Sequence, residues 1–134
     1  MVAVDVEFRN VQGTGAALGW AGSHTIVVDR PQGKAGGTGL GFNGAQLLAL
    51  AIGGCFSNDL RYAAEIMGVT IVNLTVSVRL ELEGSPLIAT SAVMRVHCEM
   101  SDGSDPSELF SQAKAGCMVS NSLRLGIPVT ISHD

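Results

Sequence analysis

Residues 43–68 most constrain what this chain can fold into, and they read NGAQLLALAIGGCFSNDLRYAAEIMG. Asn43 is a favourable helix cap and Gln46 stands three residues later, so this pair predicts a capping box at a helix start. Apolar residues then occupy most positions around the helix, which predicts a helix buried in the middle of a domain. A pair of glycines directly before Cys55 weakens the helix and lets another backbone or a substrate come close.

Length and composition predict a single domain covering residues 1–134, with a large buried interior or a large subunit interface. The chain has 134 residues, of which 46% are hydrophobic and only 15% are charged. That length gives one proper core but not two.

The charge balance argues against nucleic acid and anionic membranes as partners. The formal net charge is −4, and the chain has only one Trp and one Tyr for stacking on bases. Its apolar stretch at 45–56 is too short and too rich in glycine to span a bilayer. Three cysteines with no secretory leader predict a reducing, cytoplasmic location and no disulfide framework.

Alternating apolar and polar residues predict antiparallel strands on both sides of the central helix. The predicted strands are residues 4–9, 16–20, 24–29, 74–83, a following strand that ends at 100, and a last short strand at 128–132. The first three form a meander, and the two long strands form a hairpin. The run Asp105-Pro106-Ser107-Glu108 predicts the start of a second helix. The order of elements gives the α+β class, with helices on one face of antiparallel sheet.

A glycine-rich loop at 31–44 leads into the central helix. Gly39, Gly41 and Gly44 match the spacing of the dinucleotide-binding fingerprint, and that spacing opens a helix. The fingerprint also needs a strand that runs directly into its first glycine, and the nearest predicted strand ends about ten residues earlier. The glycines are therefore interpreted as loop structure.

Three cysteines are the candidate chemical groups. Cys98 falls on the apolar face of a predicted strand, where a thiol behaves as a small hydrophobic side chain. Cys55 and Cys117 each interrupt a helical pattern near small residues, although either one alone is also compatible with packing. The cysteines and histidines show no metal-ligand spacing, and His97 points away from Cys98, so we predict no metal site and no cofactor.

Three segments, considered together, resemble the osmotically inducible protein C (OsmC) and organic hydroperoxide resistance (Ohr) family. Residues 41–55 are similar to the family's Asn-Pro-Glu-x-Leu run that ends in Ala/Gly-Cys. Residues 60–69 follow, and residues 115–124 are similar to its second motif, Cys-Pro-x-Ser-Asn. The resemblance spans most of the chain in order, and it places two cysteines 62 positions apart.

This resemblance implies an intertwined homodimer with the OsmC-like fold, in which the central helices are buried between the subunits. It also implies a peroxidase that prefers organic hydroperoxides and needs no cofactor. Cys55 would attack the peroxide as a thiolate and become a sulfenic acid, and Cys117 would resolve it as a disulfide. A dithiol such as a lipoyl group would then reduce the disulfide.

The chain departs from the family at the group that activates the thiolate. The family holds its reactive thiolate with an Arg, which a Glu orients, and Ala45 stands at the position of that Glu. Arg30 or Lys34 is the predicted source of the cation, although Lys supplies a point charge and not a planar fork. Met118 replaces the Pro of the second motif.

Two functional hypotheses follow. The first is an OsmC-like enzyme that reduces organic hydroperoxides through Cys55 and Cys117 in oxidative stress defence. The second is a non-catalytic dimer of the same fold that binds a small hydrophobic molecule in the same cleft. We adopt the first as the working hypothesis because two retained cysteines are hard to explain by packing alone.

Overall fold

The computed structural model describes residues 1–133, which form two antiparallel sheets and three helices. In chain order the elements are β1 (Glu7–Asn10), β2 (Ala17–Ala21), β3 (His24–Val28), α1 (Gly44–Met67), β4 (Ile71–Glu83), β5 (Ile88–Met100), α2 (Ser107–Gly116) and α3 (Met118–Leu125). They form two compact units, Met1–Leu48 and the chain from Ala49 onward. The α+β class predicted from the sequence is confirmed.

The first unit contains the predicted meander, in which β2 pairs antiparallel with both β1 and β3. Gly19 of β2 lies opposite Phe8, and a side chain at this glycine would collide with the Phe8 ring. The first strand begins at Glu7, later than the predicted residue 4. The pairing with β2 covers residues 7–10 only, so the alternating residues before them have no partner strand in this unit.

The loop after β3 is organised around the buried carboxylate of Asp29. This carboxylate accepts hydrogen bonds from the backbone N–H groups of Arg30, Thr38 and Leu40. The bond from Leu40 is the largest of the influences that hold the pKa of Asp29 below its usual value. Phe42 then forms a parallel bridge with Val28, which returns the chain to the end of β3.

The glycines of this loop serve close backbone packing. A Cβ atom at Gly41 would collide with the Val27 carbonyl, and Gly39 has a positive φ of 68° and donates its N–H to the Arg30 carbonyl. Both contacts are structural, as the sequence interpretation of this spacing expects.

The predicted capping box is present at the start of α1. The Gln46 backbone N–H donates to the Asn43 Oδ1 at 2.9 Å, and the Asn43 backbone N–H donates to the Gln46 Oε1 at 3.0 Å. These reciprocal bonds satisfy two donors that a helix start would otherwise leave without partners.

The second unit is built on the long β4–β5 hairpin. Helix α1 packs on it closely, since a Cβ atom at Gly53 would lie 2.9 Å from the Val78 Cγ2. The core of this unit consists of residues from α1, the hairpin, α2 and the position directly after α2: Phe56, Leu60, Ala63, Ala64, Ile71, Cys98, Met100, Leu109, Ala113 and Cys117. Cys98 is therefore a core residue, as predicted, and the adjacent His97 is exposed.

The last part of the chain differs from the prediction. A third helix, α3, follows Cys117, and its polar residues 120–122 are only partly buried. The strand predicted at 128–132 is wrong, because no strand forms between 127 and 133 and the apolar side chains there are exposed. A short alternating segment forms a strand only when a neighbouring strand is available to pair with it. In the described residues 1–133, no helix is long and apolar enough to cross a membrane.

Replacing Asn43 by Ala should lower the free energy of unfolding by about 1 kcal/mol, because the side-chain acceptor at the helix start is lost. Asn58→Ala is the matched control, since Asn58 is exposed in the middle of the same helix and caps nothing. Urea unfolding followed by circular dichroism measures both. Equal stability of the two variants would contradict the role of the capping box.

Candidate active site

Cys55 lies in the middle of α1, on a turn that is held close to the hairpin. Gly53 permits this approach, whereas a Cβ atom at Gly54 would have no neighbour within 4 Å. Only the first of the two glycines therefore serves packing. The Cys55 side chain is half-buried, so it remains reachable from solvent while its surroundings stay fixed.

Cys117 occupies the junction between α2 and α3. Its backbone is extended (φ −70°, ψ 104°), so it ends one helix and caps the next. The residue is 1% exposed, and its thiol donates to the Ser120 Oγ at 3.3 Å. The extended residue between two helices explains why the apolar pattern breaks around it.

The structure brings Cys55 and Cys117 together, and it adds Asp59 to them. The sulfur atoms of the two cysteines and a carboxylate oxygen of Asp59 all lie within 4.8 Å of one another. The Cys55 thiol donates to the Asp59 Oδ2 at 3.5 Å, because residues four apart on a helix share a face. Asp59 therefore belongs to the candidate site together with the two cysteines.

Burial and neighbouring groups raise the pKa of the Cys55 thiol above its ordinary value. Desolvation is the largest cause, and Cys117 and the negative charge of Asp59 act in the same direction. A hydrogen bond from the backbone N–H of Val119 acts in the opposite direction. That N–H belongs to the first turn of α3, where helical N–H groups lack partners within the helix and favour negative charge.

A cavity of about 390 Å³ opens beside Cys117. Its lining is mostly apolar, with two cationic side chains and one hydroxyl among it: Phe56, Met94, Val96, Phe110, Lys114, Cys117, Ser120 and Arg124. Arg124, in the last turn of α3, donates to the Asn121 Oδ1 at 2.6 Å, which holds its guanidinium beside that residue. Lys114 was not identified from the sequence, because a lysine on the exposed face of a helix carries no distinguishing pattern.

Arg30 and Lys34, the two predicted cations, belong to the first unit. The Arg30 Nη2 pairs with the Asp29 carboxylate at 3.2 Å and donates to the Gly15 carbonyl at 2.6 Å. Its Nε has no hydrogen-bond partner among residues 1–133. Lys34 lies in an exposed turn, in which its backbone N–H donates to the Pro31 carbonyl. Their proposed role toward Cys55 stays a prediction.

Comparison with known protein families and solved structures identifies proteins that are similar to this chain in sequence and in fold. The family profile described as OsmC-like protein matches residues 37–132. No curated protein matches the chain.

Solved structures are similar over most of the chain. An OsmC-like protein of unknown function from Vibrio cholerae superposes with a TM-score of 0.75 at 12% identity, covering 91% of this chain and 94% of its own. The organic hydroperoxide resistance protein OsmC from Legionella pneumophila gives 0.64 at 19% identity, with coverages of 92% and 90%. OhrB, the organic hydroperoxide resistance protein of Bacillus subtilis, gives 0.60 at 21% identity, with coverages of 92% and 91%. At these identities the likeness establishes the fold, which confirms the predicted OsmC-like architecture.

The electrostatics of the site predict the pH dependence of Cys55 alkylation by iodoacetamide. Because the pKa of this thiol is raised, the thiolate should form only above the ordinary thiol range, and the rate should rise as the pH passes through that higher value. Asp59→Asn removes a negative charge and should shift the midpoint to lower pH. Mass spectrometry of the Cys55 peptide measures the rate.

Glu65→Gln is the control for this shift, since Glu65 is an exposed acid on the same helix. It should leave the midpoint unchanged. A midpoint that moves to higher pH in Asp59→Asn would contradict the repulsion between the carboxylate and the thiolate.

Proposed function

Because the chain belongs to the OsmC-like protein family, we propose that it is a thiol-dependent peroxidase that reduces organic hydroperoxides through Cys55 and Cys117. The observation that carries this proposal is the approach of the two sulfur atoms to within 4.8 Å. A disulfide bond has a length of about 2 Å, so the sulfur atoms need to close a gap of at most about 3 Å. Two proteins of the same fold are named organic hydroperoxide resistance proteins, which supports the choice of substrate class.

The reaction starts at Cys55, the more exposed of the two thiols. Its thiolate attacks the terminal, OH-bearing oxygen of the peroxide, the O–O bond breaks, and the alkoxide takes up a proton equivalent to the one that the thiol released and leaves as an alcohol. Cys55 is thereby oxidised to a sulfenic acid. The Cys117 thiol attacks this sulfur, the S–O bond breaks, and the oxygen leaves as water, which gives the disulfide. An external dithiol then supplies two electrons and two protons, and both thiols return.

Opposing influences set the reactivity of Cys55. The Val119 N–H at the start of α3 stabilises the thiolate, while burial and Asp59 disfavour it. Arg30 and Lys34 remain the proposed sources of an additional cation, which the family places beside its reactive thiolate. The first unit holds Arg30 through Asp29, whose buried carboxylate fixes the loop that carries both residues.

The cavity beside Cys117 fits the apolar part of an organic hydroperoxide. Phe56, Met94, Val96 and Phe110 supply an apolar lining of a volume that suits a small organic group. The same cavity favours the second candidate function, binding of a small hydrophobic molecule without catalysis. The two functions differ in whether the thiols are consumed.

A thiol count after one equivalent of cumene hydroperoxide tests the peroxidase. Wild type should lose two thiols rapidly, Cys55→Ser should be inert, and Cys117→Ser should be trapped as a sulfenic acid. Hydrogen peroxide should react more slowly, because it gains nothing from the apolar lining. The rate should rise with pH through the raised pKa of Cys55.

Cys98→Ser is the control, since Cys98 lies in the core and takes no part in the proposed reaction. It should retain the wild-type loss of two thiols. Loss of thiols no faster than that of free cysteine in solution would reject the peroxidase, and displacement of a fluorescent apolar probe from the cavity would then favour the binding function.

We also propose that the protein is a homodimer that covers the exposed face of α1. Tyr62 and Ile66, four residues apart on one face of this helix, are 66% and 81% exposed within one chain. Large apolar side chains on a single helix favour a protein interface over free solvent.

Light scattering coupled to size exclusion tests the dimer. Wild type should have the mass of two chains, and Ile66→Glu should shift the population to monomer, because a carboxylate would be buried without a partner. Ser111→Glu places the same charge at an exposed position of α2 and should leave the dimer intact. A monomeric wild type would exclude the assembly.

A further inference from the structure

The cluster of Cys55, Asp59 and Cys117 has a property that the peroxidase does not use. Each of the three residues offers one metal-ligand atom, and these atoms lie within 4.8 Å of one another. Two ligands come from one face of α1, at positions i and i+4, which is the helical spacing that zinc enzymes use for a pair of ligands. The third comes from the junction of α2 and α3.

We propose that Cys55, Asp59 and Cys117 bind one divalent transition-metal ion, with Zn²⁺ as the preferred ion. The inference goes beyond the proposed peroxidase and does not depend on it, because reduced thiols bind a metal whether or not they react with peroxides. The sequence predicted no metal site because short-range ligand spacing was absent. The third ligand is 58 positions beyond Asp59, and only the packing of α1 beside the α2–α3 junction brings it close.

The distances fit tetrahedral zinc. A zinc ion with a Zn–S distance of about 2.3 Å and a Zn–O distance of about 2.1 Å holds sulfur and oxygen about 3.6 Å apart. The Cys55 Sγ and the Asp59 Oδ2 are 3.5 Å apart. An ion between them therefore requires little movement of the helix, and the third ligand atom lies within the same small volume.

The chemistry of the donor set selects the ion. Two thiolates and one carboxylate favour Zn²⁺ over Mg²⁺ and Ca²⁺, which prefer oxygen ligands alone. Two thiolates and a carboxylate repel one another when all are ionised, and a divalent cation relieves this repulsion. Lys114 and Arg124, which line the cavity beside Cys117, offset the remaining negative charge.

The surroundings supply an outer hydrogen bond and room for a fourth ligand. The Ser120 hydroxyl lies 3.3 Å from the Cys117 sulfur, so it is placed to donate to the thiolate once the thiol proton has left. Cys117 also lines the open cavity, so water reaches the proposed ion from the side of this ligand. Three protein ligands and one water give the open coordination of a reactive or exchangeable site.

Metal binding displaces the protons of both thiols, which pass to the buffer, and no atom is oxidised or reduced. If the proposed peroxidase also holds, a bound metal occupies the sulfur atoms that would attack the peroxide. The zinc-loaded protein would then react more slowly with cumene hydroperoxide, and a chelator would restore the rate.

Cobalt titration of the reduced, metal-free protein tests the site without any peroxide. Wild type should take up one equivalent of Co²⁺ with the absorption of thiolate-to-cobalt charge transfer, and Zn²⁺ should displace it while Mg²⁺ does not. Cys55→Ser, Cys117→Ser and Asp59→Asn should each weaken binding at least about tenfold, the loss that even outer-shell changes produce.

Two matched variants complete this experiment. Cys98→Ser removes the thiol of the core, and Glu65→Gln removes an exposed acid from the same helix. Both should bind cobalt as wild type does. Absence of the charge-transfer band, or equal affinity of Asp59→Asn and Glu65→Gln, would overturn the three-ligand site.

X-ray absorption of the zinc-loaded wild type gives a second measurement that does not depend on the folding of any variant. Two sulfur ligands and the remainder oxygen would support the proposal. One sulfur ligand or none would reject it. Neither outcome bears on the peroxidase, which the thiol count decides.

Discussion

The close packing of α1 on strand β4 fixes the positions of Cys55 and Asp59 in the candidate site. Gly53 permits this packing, since any larger residue would meet the Val78 side chain. Cys55 and Asp59 follow on the next two turns, so their distances from the α2–α3 junction depend on how near the helix lies to the hairpin. A β-branched side chain such as that of Val78 has few rotamers in which to retreat, which makes this contact unusually stiff.

Cys117 completes the site because its backbone is extended between two helices. That conformation turns the start of α3 toward Cys55 and exposes an N–H group that α3 cannot satisfy internally. The N–H group at the start of α3 therefore stabilises the Cys55 thiolate, and the Asp59 carboxylate destabilises it. Burial is the largest influence on the pKa of Cys55, and these two groups act with it in opposite directions to set how much thiolate exists to react or to bind a cation.

The two proposals describe competing uses of the same sulfur atoms. Peroxide reduction removes electrons from them, whereas metal binding removes only their protons. A carboxylate four residues from the reactive cysteine hinders the first use and assists the second. The Asp59 carboxylate thus makes this site different from one in which a cation alone stabilises the thiolate.

The sequence alone determined the elements that local patterns specify. The capping box of Asn43 and Gln46, the meander and the β4–β5 hairpin all follow from short-range propensity and periodicity, and the structure has each of them. The pairing of Cys55 with Cys117 was available only through the resemblance to a family. The prediction of a strand at 128–132 was wrong, because a strand needs a neighbouring strand to pair with and local periodicity does not show whether one is present.

Only the tertiary structure decided what surrounds the two thiols. The spacing of four residues that places Asp59 on the same face of α1 as Cys55 is visible in the sequence, but whether that face meets Cys117 depends on packing between segments far apart in the chain. The same holds for Lys114, whose position on the cavity follows from the placement of α2 on the core. Local sequence sets which face of a helix a side chain occupies, whereas the groups opposite that face are set by the burial of the whole core.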